Sequence, residues 1–121
     1  MKVKIDTKEK MHVITIEEDK LTENMTEDVI NSLERFLENA ISNMVLNLKE
    51  VKEIELRPAN ALIALQQRFY EESHSMVFCN LQPGVYDFLD KRELLEMMNV
   101  TPTESEASDI VQMEEIEREL M

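Results

Sequence analysis

Two short apolar runs, Met44-Val45-Leu46-Asn47-Leu48 and Met76-Val77-Phe78-Cys79-Asn80-Leu81, constrain the fold of this chain more than any other feature. Neither alternates cleanly between apolar and polar residues, so each reads as a strand covered on both faces. Pro58 opens the segment between them, and Ala61, Leu62, Leu65 and Phe69 recur there at helical spacing. Proline suits the first turn of a helix because its φ is already helical and no partner is lost with its N–H. Strand, helix and strand in this order predict a parallel pair joined by a right-handed crossover.

The flanking segments extend the same alternation. Val3 and Ile5 alternate with lysines, Lys8-Glu9-Lys10 makes a turn, and Val13, Ile14 and Ile16 resume a β-branched strand, which together read as a hairpin. A polar connection follows from Glu17 to Asn24. Thr26 is the expected N-cap of a helix with Glu27 and Asp28 in its first turn, and Val29, Leu33, Phe36, Leu37 and Ala40 form its apolar stripe. Pro83 opens a third helix carrying Val85, Phe88 and Leu89, and Met97, Met98 and Val100 mark a last short strand. Thr103 with Glu106 three residues on makes a capping box for a final helix at about 103–120. The expected fold is therefore α/β, an open mixed and mainly parallel sheet with packed helices, in the order ββαβαβαβα. Residues 1–121 are expected to form one domain.

Composition removes several classes of function. The net charge of −13 opposes nucleic acid and anionic lipid surfaces, which select basic patches. Gly84 is the only glycine and lies away from the turn before Pro58, so the glycine-rich phosphate cradles of nucleotide-binding folds have no counterpart. His12 and His74 have no His or Cys partner at a zinc spacing, so no metal site is expected. Cys79 is the single cysteine, which fits a reducing compartment, and its place within a strand reads as a core thiol. Acid pairs such as Glu17-Glu18 and Glu114-Glu115 are adjacent and diverge on regular elements. No cofactor and no enzymatic activity are expected. Without an apolar leader or a run long enough to span a bilayer, a soluble cytoplasmic protein is expected.

Of nine methionines, Met44, Met76 and Met97 occupy core-like positions, whereas Met113 and Met121 on the final helix are candidates for exposed contacts. From Thr101 to Met121 that helix segment carries seven acids and one arginine. Its first half is spaced to pack on the sheet. Its far end, from Glu114, either packs too or projects toward a partner or a second copy.

Several segments together resemble the STAS domain, the fold of bacterial anti-sigma factor antagonists. Met44-Val45-Leu46-Asn47-Leu48-Lys49-Glu50-Val51 is similar to the family's strand ending in L-x-L-x-x-V, which leads to a D-S-S-G-L turn and a helix. Met76 to Pro83 with Val85 resembles the next strand and its S-P-x-V helix start, and Leu94 to Val100 the segment leading to the last strand. Thr101-Pro102-Thr103-Glu104-Ser105-Glu106-Ala107 resembles the threonine- and glutamate-rich start of the final helix.

The departure falls on the family's functional turn. Glu55 stands for Asp, Leu56 for the first Ser, Arg57 for the second, and Pro58 for Gly. The second Ser is the residue that a partner kinase phosphorylates in switching members of the family. Arg57 has no acceptor hydroxyl and carries the opposite sign to a phosphoryl group. The family's G-x-L-D segment is degraded to Asp19-Lys20-Leu21-Thr22. The resemblance thus implies a binding protein without the usual switch, contacting an anti-sigma factor, a kinase-like protein or a regulatory-complex subunit through Glu55, Leu56, Arg57 and Asn60. The bland alternative for Arg57 is a solvated ion pair with Glu53 or Glu55. A second copy of the chain is another candidate partner. The runner-up role is a cytoplasmic accessory STAS subunit of a membrane transport system.

Overall fold

The two apolar runs that begin at Met44 and Met76 become buried strands in the computed structural model, which describes residues 1–121. The elements are β1 (Val3–Thr7), β2 (His12–Ile16), β3 (Lys20–Leu21), α1 (Thr26–Glu34), β4 (Met44–Asn47), β5 (Glu53–Ile54), α2 (Leu56–Glu71), β6 (Met76–Cys79), α3 (Pro83–Lys91), β7 (Val100–Thr101) and α4 (Glu104–Glu119). Five strands form one sheet in the order β1-β2-β4-β6-β7. β1 runs antiparallel to β2, and the other pairings are parallel. This is the mixed, mainly parallel sheet that the sequence predicted.

Register sorts the side chains onto two faces. Ile14, Leu46, Phe78 and Val100 lie side by side across the sheet, and with Met44, Met76 and Ile16 they pack under α1, α2 and α3. The alternate residues Val13, Val45 and Val77 point to the other face, where Met11 and Cys79 join them. One helix, α4, covers that second face through Ala107 and Val111. Met44–Asn47 and Met76–Cys79 are buried throughout, as strands with helices on both sides must be.

The structure corrects four local readings. Glu17 to Asn24 is not a plain connection: β3 pairs in parallel with β5, Lys20 beside Glu53 and Leu21 beside Ile54, and both Leu21 and Ile54 are buried. Thr26 does not cap α1, because its hydroxyl donates to the Glu23 carbonyl (2.8 Å) and a 3-10 turn at Glu23–Met25 leads into the helix. Ala40 lies exposed beyond α1, which tightens into a 3-10 turn at Arg35–Glu38 and ends the helical stripe. Met97 is exposed in a further 3-10 turn, and only Val100–Thr101 forms the last strand. No helix is long and apolar enough to cross a membrane.

Candidate functional site

The start of α2 is built by the small β3–β5 pair. Buried Ile54 holds the chain down, and the Glu55 N–H donates to the Leu21 carbonyl (2.9 Å), so Glu55 enters the helix from extended backbone. Its carboxylate does not cap α2. It accepts the backbone N–H of Glu23 (2.7 Å), tying the start of α2 to the turn before α1. Pro58 and Ala59 are buried and anchor the first turn. Leu56, Arg57 and Asn60 point outward, with Leu56 44% exposed.

The structure thus brings all four sequence-predicted residues, Glu55, Leu56, Arg57 and Asn60, to one exposed rim. Arg57 pairs with neither residue expected of it: its Nε lies 4.0 Å from the Glu23 carboxylate, and Glu53 is engaged by Lys20 at 3.5 Å. The Arg57 side chain is 66% exposed, so this loose pair adds little stability. The neighbouring loop is packed closely. Gln82 donates to the Lys49 carbonyl (2.6 Å), and a Cβ on Gly84 would come 3.1 Å from the Lys52 carbonyl oxygen. The single glycine is therefore placed where backbone meets backbone, not where it would cradle a phosphate. This rim lies beyond the C-terminal ends of β4 and β6, where open α/β sheets bind their ligands. It presents one apolar side chain, Leu56, and two cations, Arg57 and Lys20, among the carboxylates of Glu23, Glu53 and Glu55.

No three His, Cys, Asp or Glu residues are grouped to hold a metal ion. Burial, then the nearby Glu104 carboxylate, push the Cys79 thiol up to about 12, so it stays protonated as a core residue. His12 is buried against the Phe36 ring with its Nδ1 2.9 Å from the Thr7 hydroxyl.

A second polar cluster was not foreseen, and it lies under the far half of α4. Buried Asn43 donates to the Lys10 carbonyl (2.9 Å) and to Glu115 (2.8 Å), and it accepts from the Ser75 N–H (2.8 Å) and from Arg118 (3.2 Å). The Asn43 amide, followed by Arg118, holds the Glu115 carboxyl below its ordinary value, against the opposing effect of burial. Tyr70 donates to Glu114 (2.7 Å) and accepts from Asn99 (2.7 Å). Burial and that carboxylate raise the phenol's pKa. Glu114, Glu115 and Arg118 therefore fasten the far half of the helix. Their partners are up to 75 residues away in sequence, so no local signal announced them.

The model of the STAS domain matches residues 2–107. This chain belongs to the STAS domain family. None of the curated proteins matches it in sequence. The solved structure of an anti-sigma factor antagonist from Mycobacterium paratuberculosis is similar with a TM-score of 0.79 at 12% identity, covering 92% of this chain and 93% of that one. An anti-sigma-factor antagonist (STAS) domain protein from Planctomyces limnophilus gives 0.72 at 15%, covering 87% and 93%. The murine Solute Carrier 26 family member A9 anion transporter gives 0.65 at 16%, covering 85% of this chain but 18% of the transporter. At such identities the likeness is one of fold. In this STAS domain the strand–turn–helix at Glu53–Asn60 carries Leu56, Arg57 and Pro58 in succession at the start of α2.

Proposed function

We propose that this STAS domain is a non-enzymatic protein–protein interaction module, resembling an anti-sigma factor antagonist, that no phosphoryl transfer can switch at the start of α2. The carrying observation is the exposed rim itself: Leu56 and Arg57 stand in solvent on a turn fixed from below by Pro58, Ala59 and the Glu55–Glu23 hydrogen bond. A phosphoserine there would place about −1.5 to −2 charge at a helix N-terminus. Arg57 presents a fixed positive charge instead, and Pro58 removes the mobility a glycine would allow. The contact surface comprises Glu55, Leu56, Arg57 and Asn60. An acidic partner face engages Arg57, and a basic one engages the carboxylates around it. The partner is a kinase-like or anti-sigma protein, or a subunit of a regulatory complex, met in the cytoplasm.

The test is affinity capture from native lysate with the wild type and with a Leu56→Asp, Arg57→Glu variant. Both residues are exposed, so the variant is expected to melt like the wild type. Recovery of a kinase-like or sigma-regulatory protein by the wild type and its loss from the variant supports the reading. Equal recovery by both places the contact elsewhere. The likeness to 18% of an anion transporter's chain supports a second reading, an accessory subunit of a membrane transport system. Recovery of transporter subunits with the wild type favours that reading over the first.

A further inference from the structure

We infer that the outer face of α4 is a second docking surface, and that its occupant is a cationic amphipathic helix of another protein. A helix that covers a sheet needs one apolar face. α4 has that face in Ala107 and Val111, which are fully buried against Val45, Val77 and Cys79. It also has another. Met113, Ile116 and Leu120, spaced three and four residues apart and so aligned along one side, are 60%, 57% and 82% exposed. This stripe does not arise from a helix end hanging free, because Glu115 and Arg118, on the inner side of the same turns, are tied to Asn43. Exposed apolar side chains that line up and are rimmed by polar groups mark interaction sites.

The rim identifies the occupant. Glu106, Asp109 and Glu117 are exposed on the same side of the helix as the stripe. Asp109 and Glu117 have no cationic partner within the chain, whereas Glu115 is taken by Arg118 (2.9 Å) and Glu119 by Lys10 (3.8 Å). Beside the stripe, the hairpin turn at Lys8–Met11, whose lysines pair with Asp6 and Glu119, and the α4 residues Asp109, Gln112 and Ile116 line an open groove of about 650 Å³. Two copies of α4 would bring carboxylates against carboxylates, and nucleic acid or anionic lipid would meet the same repulsion. A helix with one apolar stripe flanked by Lys or Arg satisfies both the stripe and its rim. The surface lies across the sheet from the start of α2, so one molecule can hold both partners at once. The family match ends at residue 107, before the stripe begins.

The experiment is fluorescence anisotropy with a labelled synthetic Leu/Lys amphipathic helix about 18 residues long, and with its twin in which every Lys is Glu. The full chain is expected to bind the Lys peptide saturably, more weakly at high salt, and not to bind the Glu twin. Met113→Ser with Ile116→Ser is expected to weaken binding roughly tenfold or more with an unchanged circular dichroism melt, and Leu56→Asp to leave it unaltered. Equal binding by the Met113/Ile116 variant, or absence of binding by the wild type, overturns the proposal. Sedimentation showing a dimer that this variant dissolves overturns it in favour of a second copy.

Discussion

Glu93 and Ser73 illustrate what a chain with one glycine does at its helix ends. Both adopt left-handed backbone, with φ of 59° and 64°, immediately past α3 and α2. Each closes a Schellman motif. Leu94 N–H donates to the Leu89 carbonyl and Glu93 N–H to Asp90 (2.9 and 3.0 Å), and His74 donates to Phe69 and Ser73 to Tyr70 (2.8 and 3.0 Å). Glycine adopts that conformation without the Cβ penalty, so Glu93→Gly is expected to stabilise the domain by about 0.5–1 kcal/mol. A rise of several degrees in thermal midpoint is the readout, and a fall would show that the Glu93 side chain contributes in another way. Single residues were also the scale at which sequence reading failed most. Thr26 has the right identity for an N-cap but turns its hydroxyl back to Glu23, and Arg57 found Glu23 rather than its sequence neighbours. A residue's type gives its capacity for hydrogen bonding, whereas its partner depends on which loop the fold brings near.

Among the elements, α4 depends most on polar contacts. Asn43 joins the starts of β4 and β6 to the far half of α4, and its Oδ1 accepts the Ser75 N–H. Asn43→Ala strands that buried donor and frees Glu115 and Arg118, so a loss of roughly 2–3 kcal/mol is expected, about 10 °C in melting temperature for a chain this size. Denaturant titration measures it, and a loss below about 0.5 kcal/mol would mean that apolar packing alone holds the helix. The same cluster sets a pH dependence. Because Glu115 titrates below its unfolded value of 4.5, its contribution is complete above that pH and is lost as pH falls through the lower, folded-state value. Wild type and Glu115→Gln are therefore expected to differ in stability at pH 6 and to converge on strong acidification; a gap that stays constant would remove Glu115 from the cluster. The larger elements were legible because each carries its own apolar period: two buried strands, the stripe of α2, and the Pro83 and Thr103 helix starts. The β3–β5 pair was not, since strands of two residues have no period to read. Thr103 does accept the Glu106 N–H (3.2 Å), whereas the Glu106 carboxylate meets the Thr103 hydroxyl (3.3 Å) rather than its backbone, so the expected capping box is half formed.

At the scale of the whole molecule, the sheet divides the domain unequally. Three helices and the large core lie on one side, and α4 stands alone on the other. The rim at the start of α2 is presented from the first side, and the exposed stripe of α4 from the second. An excess of 26 acids over 13 bases spreads over both, which favours cationic partners and disfavours self-association. The topology followed from the order of apolar runs, because a buried parallel pair admits few connections. The proposed contact rim was suggested by the resemblance of one turn to a family pattern, whereas the contacts of Glu23 with Glu55 and Arg57 emerged only in three dimensions. The Leu56–Arg57 turn is proposed as a contact surface and not a phosphoryl switch. It is tested most directly by placing a photo-crosslinking amino acid at position 56 in native cells, with position 5 (Ile5, also exposed) as control. The predicted result is a discrete protein adduct from position 56 and none from position 5. Adducts that form only through position 5, or none at all, would contradict it.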